Sequence, residues 1–308
     1  VAAGVVQSFT NCMVENNISP EDIIFVAHST TQATNALVEG DVAHVGVFSL
    51  ANGGLEGLLA KKQSRIDDIS LGNGRKITIS NTFLKKKQFN EQSVQENIDK
   101  LVDEGSQVIV SSMAFGVDDN GPEQVIADAA AKRGLFTTMA SDITKLYGLT
   151  RRTRTACINA SILPKMMDTA LSTERSVRSA HVNVPLMNMR GDGGVMDISE
   201  MKKRPVLTML SGPAASVMGS LMDLRASNGV YFEVGGTTTN IGVIKNGRPA
   251  IDYTIIGGHR TYVSSLDVRV IGDAGGSMIR ANKEGVFDVG PRSAHIAGLE
   301  YAVFTPLE

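Results

Sequence analysis

Two glycines between two short apolar runs, beside a glutamate and a cluster of hydroxyls, form the stretch of this sequence best suited to chemistry. The run is Gly229-Val230-Tyr231-Phe232-Glu233-Val234-Gly235-Gly236-Thr237-Thr238-Thr239-Asn240-Ile241-Gly242-Val243-Ile244. Gly235 and Gly236 let a backbone approach an anion closely and adopt φ values that other residues resist. The stretch therefore predicts either a hairpin that cradles phosphate or an ordinary Gly-Gly turn between two strands.

Hydroxyl and carboxylate groups beside these glycines suit the same ligand. Thr237, Thr238 and Thr239 supply hydroxyl donors next to the turn. Glu233, at the end of its predicted strand, can hold a divalent metal directly or through water, because a nucleoside triphosphate needs Mg²⁺ and Mg²⁺ takes oxygen ligands. Glu233 is therefore a candidate metal ligand, and the glycines and threonines are candidate phosphate contacts.

Strands and helices alternate through the first half of the chain, and these elements must position any site. Apolar runs predict strands and amphipathic or capped segments predict helices. The predicted strands cover 23–27, 43–50 and 107–112. The predicted helices cover 91–104 and 122–133, and a further helix, capped by hydroxyl residues after 28, ends near Gly40. Continuous apolar strands followed by helices are typical of βα units in a largely buried sheet. The pattern predicts an α/β fold.

Three further features are predicted in the second half. Pro164 bends a long helix or separates two shorter ones, because proline removes a helical hydrogen bond. The small residues of 211–220 predict a helix that other backbone segments can approach closely. Asn246-Gly247 predicts a two-residue hairpin turn.

Length and composition limit the class of protein. The chain has 308 residues, 42% of them hydrophobic, enough for roughly two domains on a prior of about 150 residues each. We expect a division into residues 1–150 and 151–308. Thirty basic and thirty-two acidic residues give a net charge of -2 without long blocks of one sign. No nucleic-acid or membrane partner is implied.

Cysteine usage and the chain start add two expectations. Cys12 and Cys157 are too few for a disulfide framework or a zinc site, which favours a reducing cytoplasm. No apolar run approaches the roughly 18 residues of a membrane helix. The chain opens without Met, on what reads as the middle of a helix, so we expect further sequence in front of Val1.

Six separated motifs, in the same order, resemble those of the ATP-dependent hydantoinase/oxoprolinase family, which includes acetone carboxylase subunits. His28 to Gly40 is similar to H-G-T-T-x-A-T-N-A-L-L-E-G, and Glu233 to Asn240 is similar to D-M-G-G-T-S-T-D. The other four runs are Arg152 to Ala160 (R-T-x-T-x-x-x-N-A), Met189 to Gly194 (M-Q-S-N/D-G-G), Leu210 to Gly219 (L-S-G-P-A-G-G-V-x-G) and Leu266 to Ser277 (L-D-I-H-T-V-G-A-G-G-G-S).

The resemblance implies an α/β fold of the actin, sugar-kinase and Hsp70 type, with ribonuclease H-like lobes whose mixed sheets are flanked by helices. ATP and Mg²⁺ would bind between the lobes. Residues 1–150 would form the family's N-terminal region, and 151–308 would begin the nucleotide-binding region with the second phosphate loop. The first phosphate loop, an Asp-Gly-Gly-Thr turn, is expected before Val1.

The same resemblance suggests an activity and its residues. Members phosphorylate an amide or carboxylate oxygen with ATP, so that a cyclic amide such as a hydantoin or 5-oxoproline opens, or a carboxylation proceeds. Gly212, Gly275 and Gly276 join the hairpin as candidate nucleotide contacts. His28, Asp267 and Arg269 are candidate catalytic residues. His28 can equally be a structural histidine, and Asp267 with Arg269 can equally be a structural ion pair.

Substitutions within the motifs leave alternatives open. The family's two Asp residues in the hairpin are Glu233 and Asn240 here, and its later His is Arg269. A non-catalytic or carboxylase-type subunit would accommodate these changes, and a small-molecule kinase would share both phosphate loops. The expected partners are a small cyclic amide and either a hydantoinase B-like second subunit or a further copy of the chain.

Overall fold

The computed structural model describes residues 2–225, 227–236, 238–293 and 298–300. The helices in these ranges are α1 (Ala2–Glu15), α2 (Gln32–Glu39), α3 (Gly54–Ser64), α4 (Glu91–Asp103), α5 (Gly121–Ala131), α6 (Ala140–Ile143), α7 (Leu149–Ser179), α8 (Ile198–Lys203) and α9 (Ser211–Leu224), with 3-10 turns at Pro20–Asp22, Lys86–Gln88 and Pro205–Thr208. The strands are β1 (Val26–His28), β2 (Val45–Ala51), β3 (Ile69–Gly72), β4 (Arg75–Ile77), β5 (Ile79–Lys85), β6 (Val108–Met113), β7 (Phe136–Met139), β8 (Leu186–Met189), β9 (Val195–Asp197), β10 (Gly229–Val234), β11 (Thr239–Lys245), β12 (Arg248–Pro249), β13 (Ile251–Ile256), β14 (His259–Leu266), β15 (Val268–Ile271), β16 (Ser277–Asn282) and β17 (Gly285–Ser293).

A four-stranded parallel sheet in the order β5-β2-β6-β7 forms the centre of the N-terminal half. Every residue of β2 and β6 is buried, because helices cover both faces. Phe48 and Leu50 pack with α4 and α5 on one face, while Val45 and Val47 pack with α7 on the other. The continuous apolar runs at 43–50 and 107–112 thus predicted two central strands, and both are confirmed.

Helix α7 links the two halves of the chain. It packs against β6 and β7 of the parallel sheet and against β14 of the C-terminal half. Pro164 lies inside this helix, which continues to Ser179 without division. Proline frees nearby helical carbonyls, and the carbonyl of Ser161 accepts a hydrogen bond from the N–H of Ala43 over 2.8 Å. Because α7 crosses residue 150, the predicted division there stays a prediction.

Antiparallel pairs dominate after α9. Strand β11 pairs with β10, β12 and β15, while β13–β14 and β16–β17 form separate hairpins. The predicted Asn246-Gly247 turn is confirmed, since these residues have φ of 53° and 71° and connect β11 to β12. A separate sheet joins β1 to β8 in parallel and β8 to β9 antiparallel.

The molecule is therefore a mixed α/β protein with several sheets flanked by helices. The finer expectation of actin-type, ribonuclease H-like lobes stays a prediction. In the described part of the chain, no helix combines the length and the apolar composition needed to cross a bilayer. Cys12 is exposed and Cys157 is buried, and both are free thiols.

An arginine held between two tyrosines fastens α7 to the β13–β14 hairpin. The Arg151 guanidinium lies 4.2 Å from the ring centroid of Tyr253 and 4.1 Å from that of Tyr262, and its Nε donates to the carbonyl of Thr261 over 2.8 Å. We expect Arg151→Ala to lower the free energy of unfolding by about 2 kcal/mol, measured by urea denaturation. Arg154→Ala, which loses no hydrogen bond to a described residue, is the control, and equal effects of the two variants would contradict this role.

Candidate functional site

The predicted phosphate hairpin is formed by β10 and β11. The strands pair antiparallel, with Glu233 directly opposite Asn240. The N–H of Gly235 donates to the carbonyl of Thr238 over 3.0 Å and closes the loop. Thr237 lies outside the described residues, so its phosphate contact stays a prediction.

A second glycine pair lies directly against the first. The N–H of Gly275 donates to the carbonyl of Gly235, and that of Gly276 to the carbonyl of Gly236, each over 3.0 Å. We call Gly235-Gly236 and Gly275-Gly276 the paired glycine segments. They are 39 residues or more apart in sequence, yet the fold brings together these four predicted nucleotide contacts. Their function as phosphate contacts stays a prediction.

The two threonines that the structure describes in the loop differ in their environment. Thr239 is buried, and its hydroxyl donates to the carbonyl of Asp273 over 2.6 Å. Its hydroxyl therefore fastens the loop after β15 to the hairpin. Thr238 is exposed, so its hydroxyl is open to a ligand.

Both carboxylate oxygens of Glu233 accept hydrogen bonds from neutral groups. The Ser216 hydroxyl donates to Oε1 over 2.7 Å, and the Asn240 amide donates to Oε2 over 2.9 Å. These bonds orient the carboxylate without neutralising its charge, and the Asn240 amide oxygen is left as a second oxygen donor. Mg²⁺ is typically held by one or two carboxylates together with waters and phosphates. The oxygen donors present here fit that ion.

The residues that the structure describes contain no group of three or more His, Cys, Asp or Glu arranged to hold a metal. The described residues of this region therefore do not form a metal site from protein ligands alone. A metal at Glu233 would need ligands from a bound phosphate and from water, which is how Mg²⁺ is bound in most nucleotide sites.

Helix α9 lies between the hairpin and the loop that follows His28. At its first residue, the Ser211 hydroxyl donates to the carbonyl of Thr30 over 2.9 Å. Ser216, about 7.5 Å further along the helix axis, contacts Glu233. Gly212 is in the first turn, where an added Cβ would lie 3.8 Å from the methyl of Thr31. The first two turns of α9 thus position two motifs that are about 200 residues apart in sequence.

His28 ends β1 and lines a cavity of about 590 Å³. Asn188 is its parallel partner on β8. Serine and threonine hydroxyls from the loop after β1 and from the second half of α7 dominate the cavity wall. Burial lowers the pKa of His28, and a hydrogen bond with Asn188 opposes that shift. A neutral ring in a cavity rich in hydroxyls can accept a proton or orient a polar substrate.

The lowered pKa of His28 gives a pH-dependent stability. In the unfolded chain the pKa of His28 is about 6.5, so below that pH the unfolded chain binds a proton more readily than the folded chain does. The stabilisation that neutral His28 gives the folded chain is therefore lost as pH falls towards the lower pKa of the folded state. We expect the stability difference between wild type and His28→Gln to shrink as pH falls from 7.5 through 6.5. Urea unfolding at several pH values measures it, and a difference that is constant with pH contradicts the prediction.

Arg269 lies on β15, the strand next to the hairpin, and Asp267 lies directly before that strand. Arg269 pairs with Ile241, whereas Asn240, the partner of Glu233, pairs with Val270. Successive residues of a strand point to opposite faces. The structure therefore places Arg269 on the face opposite Glu233 and does not bring the two together.

Asp267 is exposed at the junction between β14 and β15. It lies near enough to Tyr231 to add to the effect of burial, which raises the pKa of that phenol. Neither Asp267 nor Arg269 forms an ion pair among the residues that the structure describes. The catalytic roles of both residues stay predictions.

Sequence reasoning did not single out Ser216 or the docking of the Met189–Gly194 motif. Arg190 and Asp192 form an ion pair within that loop, and an added Cβ on Gly193 would lie 3.0 Å from the Met218 sulfur on α9. The clustering of small residues in α9 was the available signal for both contacts. It indicated a close approach but not which segments approach.

Comparison with known proteins identifies the relationship. The family profile described as Hydantoinase/oxoprolinase matches residues 152–304, and the Hydantoinase/oxoprolinase N-terminal region matches residues 1–134. The chain is 25% identical over 214 residues to 5-oxoprolinase from Saccharomyces cerevisiae, covering 68% of this chain and 16% of that protein. It is 25% identical over 211 residues to caprolactamase subunit alpha from Pseudomonas jessenii, covering 66% and 30%.

Two solved structures share the fold. The ATP-dependent caprolactamase from Pseudomonas jessenii superposes with a TM-score of 0.66 and 20% identity, over 94% of this chain and 45% of that one. Nucleotide-free acetone carboxylase superposes with a TM-score of 0.66 and 16% identity, over 95% and 46%. The chain thus spans less than half the length of either structure and less than a third of the two curated relatives. With both profiles matched in order along nearly its whole length, the chain belongs to the hydantoinase/oxoprolinase family.

Proposed function

We propose that this chain supplies nucleotide-binding elements of an ATP-dependent enzyme that opens a cyclic amide. The observation that supports the proposal most directly is the contact between the paired glycine segments, with the oriented carboxylate of Glu233 beside them. Close backbone segments without side chains, next to an oxygen ligand for a hard cation, suit a metal-bound polyphosphate.

The chemistry follows from the weak reactivity of amides. An amide carbon resists attack by water. Transfer of the terminal phosphoryl group from ATP to the amide oxygen, with release of ADP, makes that carbon more reactive and the oxygen a better leaving group. Water then adds to the carbon, the ring C–N bond breaks as the nitrogen takes up a proton, and a second water releases phosphate from the resulting acyl phosphate. In this proposal Glu233 and the Asn240 amide oxygen hold Mg²⁺, and the exposed Thr238 hydroxyl faces phosphate. The neutral His28 ring accepts a proton from the attacking water in the hydroxyl-lined cavity, where the cyclic amide binds.

The experiment is ATP hydrolysis by the native protein that contains this chain, with hydantoin, 5-oxoproline and caprolactam supplied separately. Amide-stimulated ADP release with a matching amount of ring-opened product supports the proposal. ADP release that depends on a sugar or another hydroxyl compound, without ring opening, would replace it with a kinase.

A carboxylase-type or non-catalytic subunit is the second candidate. It is favoured by Asn240, which places a neutral amide beside Glu233, and by the equal TM-scores to acetone carboxylase and caprolactamase. Bicarbonate-dependent ATP turnover, or turnover that appears only when a co-purified second subunit is added, distinguishes it. One relative is named as an alpha subunit, which supports a search for such a partner.

A further inference from the structure

A second polar cavity, of about 370 Å³, lies in the N-terminal half between α3, α4 and the edge of the parallel sheet. Lys61, Arg65 and Lys100 line it together with serine, threonine and asparagine side chains. Among the residues that the structure describes, no carboxylate contributes to its wall. The cavity shares no lining residue with the one at His28 and none with the paired glycine segments.

The three cations come from two different helices. Lys61 is in the last turn of α3, and Arg65 caps that helix, where the helix dipole favours positive charge. Lys100 is on α4, so the dipole of α3 does not explain why this third cation lies at the cavity. Lys100 lies 4.0 Å from Glu104, with both side chains substantially exposed, so that pair neutralises little of its charge. Three like charges around one cavity repel one another unless an anion binds.

A serine hydroxyl lies on the floor of the cavity, beside the three cations. Ser49 is 3% exposed and lines the cavity from β2. The other buried hydroxyls of the wall are satisfied, because Ser64 donates to the carbonyl of Ala60 and Thr82 to the amide oxygen of Asn97. The Ser49 hydroxyl can therefore donate to a ligand in the cavity.

We propose that this cavity binds the phosphoryl group of a small organic phosphate. A phosphoryl group offers up to two negative charges and three acceptor oxygens, which match three cations and one hydroxyl better than a single carboxylate does. The planar guanidinium of Arg65 can donate two parallel bonds to such a group. The ring of Phe83, 5.8 Å from the Lys61 ammonium, forms an apolar wall for the organic part.

Isothermal titration calorimetry on the native protein at low ionic strength tests the proposal, with pyrophosphate as the probe and citrate as the comparison anion. We expect Arg65→Gln to weaken pyrophosphate binding about tenfold, because a charge-assisted bidentate contact is lost, and Ser49→Ala to weaken it less. Lys62→Gln is the matched control, since Lys62 is an exposed cation of α3 outside the cavity.

The outcomes separate this cavity from the nucleotide site. Weaker binding in Arg65→Gln and Ser49→Ala with unchanged binding in Lys62→Gln supports the proposal. No pyrophosphate binding, equal affinity in all variants, or tighter binding of citrate overturns it. Arg65 is exposed and Ser49→Ala removes one oxygen, so circular dichroism is expected to show both variants folded.

Discussion

Glu233→Gln is expected to reduce ATP turnover by the native protein about 100-fold while leaving the fold intact. The substitution keeps the size of the side chain but removes the charge that the proposed Mg²⁺ requires. Loss of an outer-shell partner already costs roughly 10- to 100-fold in metal affinity or activity, so we expect loss of a direct ligand to reach the upper end of that range. Glutamine also presents an amide N–H₂ where Asn240 and Ser216 now donate to oxygen, so the side chain loses one of its two orienting bonds.

Measurement of turnover against Mg²⁺ concentration distinguishes a metal role from a structural one. If Glu233 holds the metal, excess Mg²⁺ restores part of the activity of Glu233→Gln, because lower affinity is overcome by mass action. Glu284→Gln is the control: it removes a carboxylate from the exposed turn between β16 and β17. Loss of turnover that no Mg²⁺ concentration restores, with an unfolding midpoint lowered to match, would assign Glu233 a purely structural role.

Elements buried on both sides were the most predictable part of the fold. Strands β2 and β6 appear as continuous apolar runs, and helix α4 shows apolar residues at helical spacing with Val94, Ile98 and Leu101 buried. Such patterns result from burial itself, so they can be recognised in the sequence without knowing which elements pack against the strand or helix. The Asn246-Gly247 turn was predictable for a different reason, since both residues tolerate the positive φ that it requires.

Strand β1 shows where local patterns were wrong. The apolar run 23–27 predicted a strand, but β1 covers only Val26–His28, while Ile24 and Phe25 are 78% and 54% exposed. Pairing with β8, distant in sequence, decides which residues become strand.

The chemistry of the candidate site depended on such distant contacts even more. That Glu233 meets Ser216, and that Arg269 faces away from it, follows from helix docking and strand register, which local residue types do not encode. Charged residues at a helix start are usually solvated, yet Arg152 near the start of α7 is buried, and its Nη2 donates to the carbonyl of Met113 over 2.8 Å. A buried arginine is recognisable only once its acceptors are known.

Gly191→Ala is expected to lower the free energy of unfolding by about 3 kcal/mol or more, a large share of the total stability of a protein. A Cβ at Gly191 would lie 2.0 Å from the carbonyl oxygen of Met209, and a backbone atom cannot rotate away as a side chain can. The same residue donates its N–H to the carbonyl of Leu207 over 2.9 Å and accepts from the N–H of Leu266 over 2.8 Å. Any shift that relieves the contact breaks bonds on both sides.

Gly219→Ala supplies the matched control, because among the described residues no atom outside the adjacent backbone of α9 lies within 4 Å of the position that its Cβ would take. Gly219 is in the interior of α9, where alanine is favoured over glycine by up to about 1 kcal/mol. Urea unfolding measures both variants. If the added methyl group lowers the free energy of unfolding at Gly191 and raises it at Gly219, the close approach of the backbone at Gly191 is what requires glycine there. Equal small effects at both positions would mean that the Met189–Gly194 loop does not dock against Met209 as described, and the contacts that fix it beside α9 would have to be redrawn.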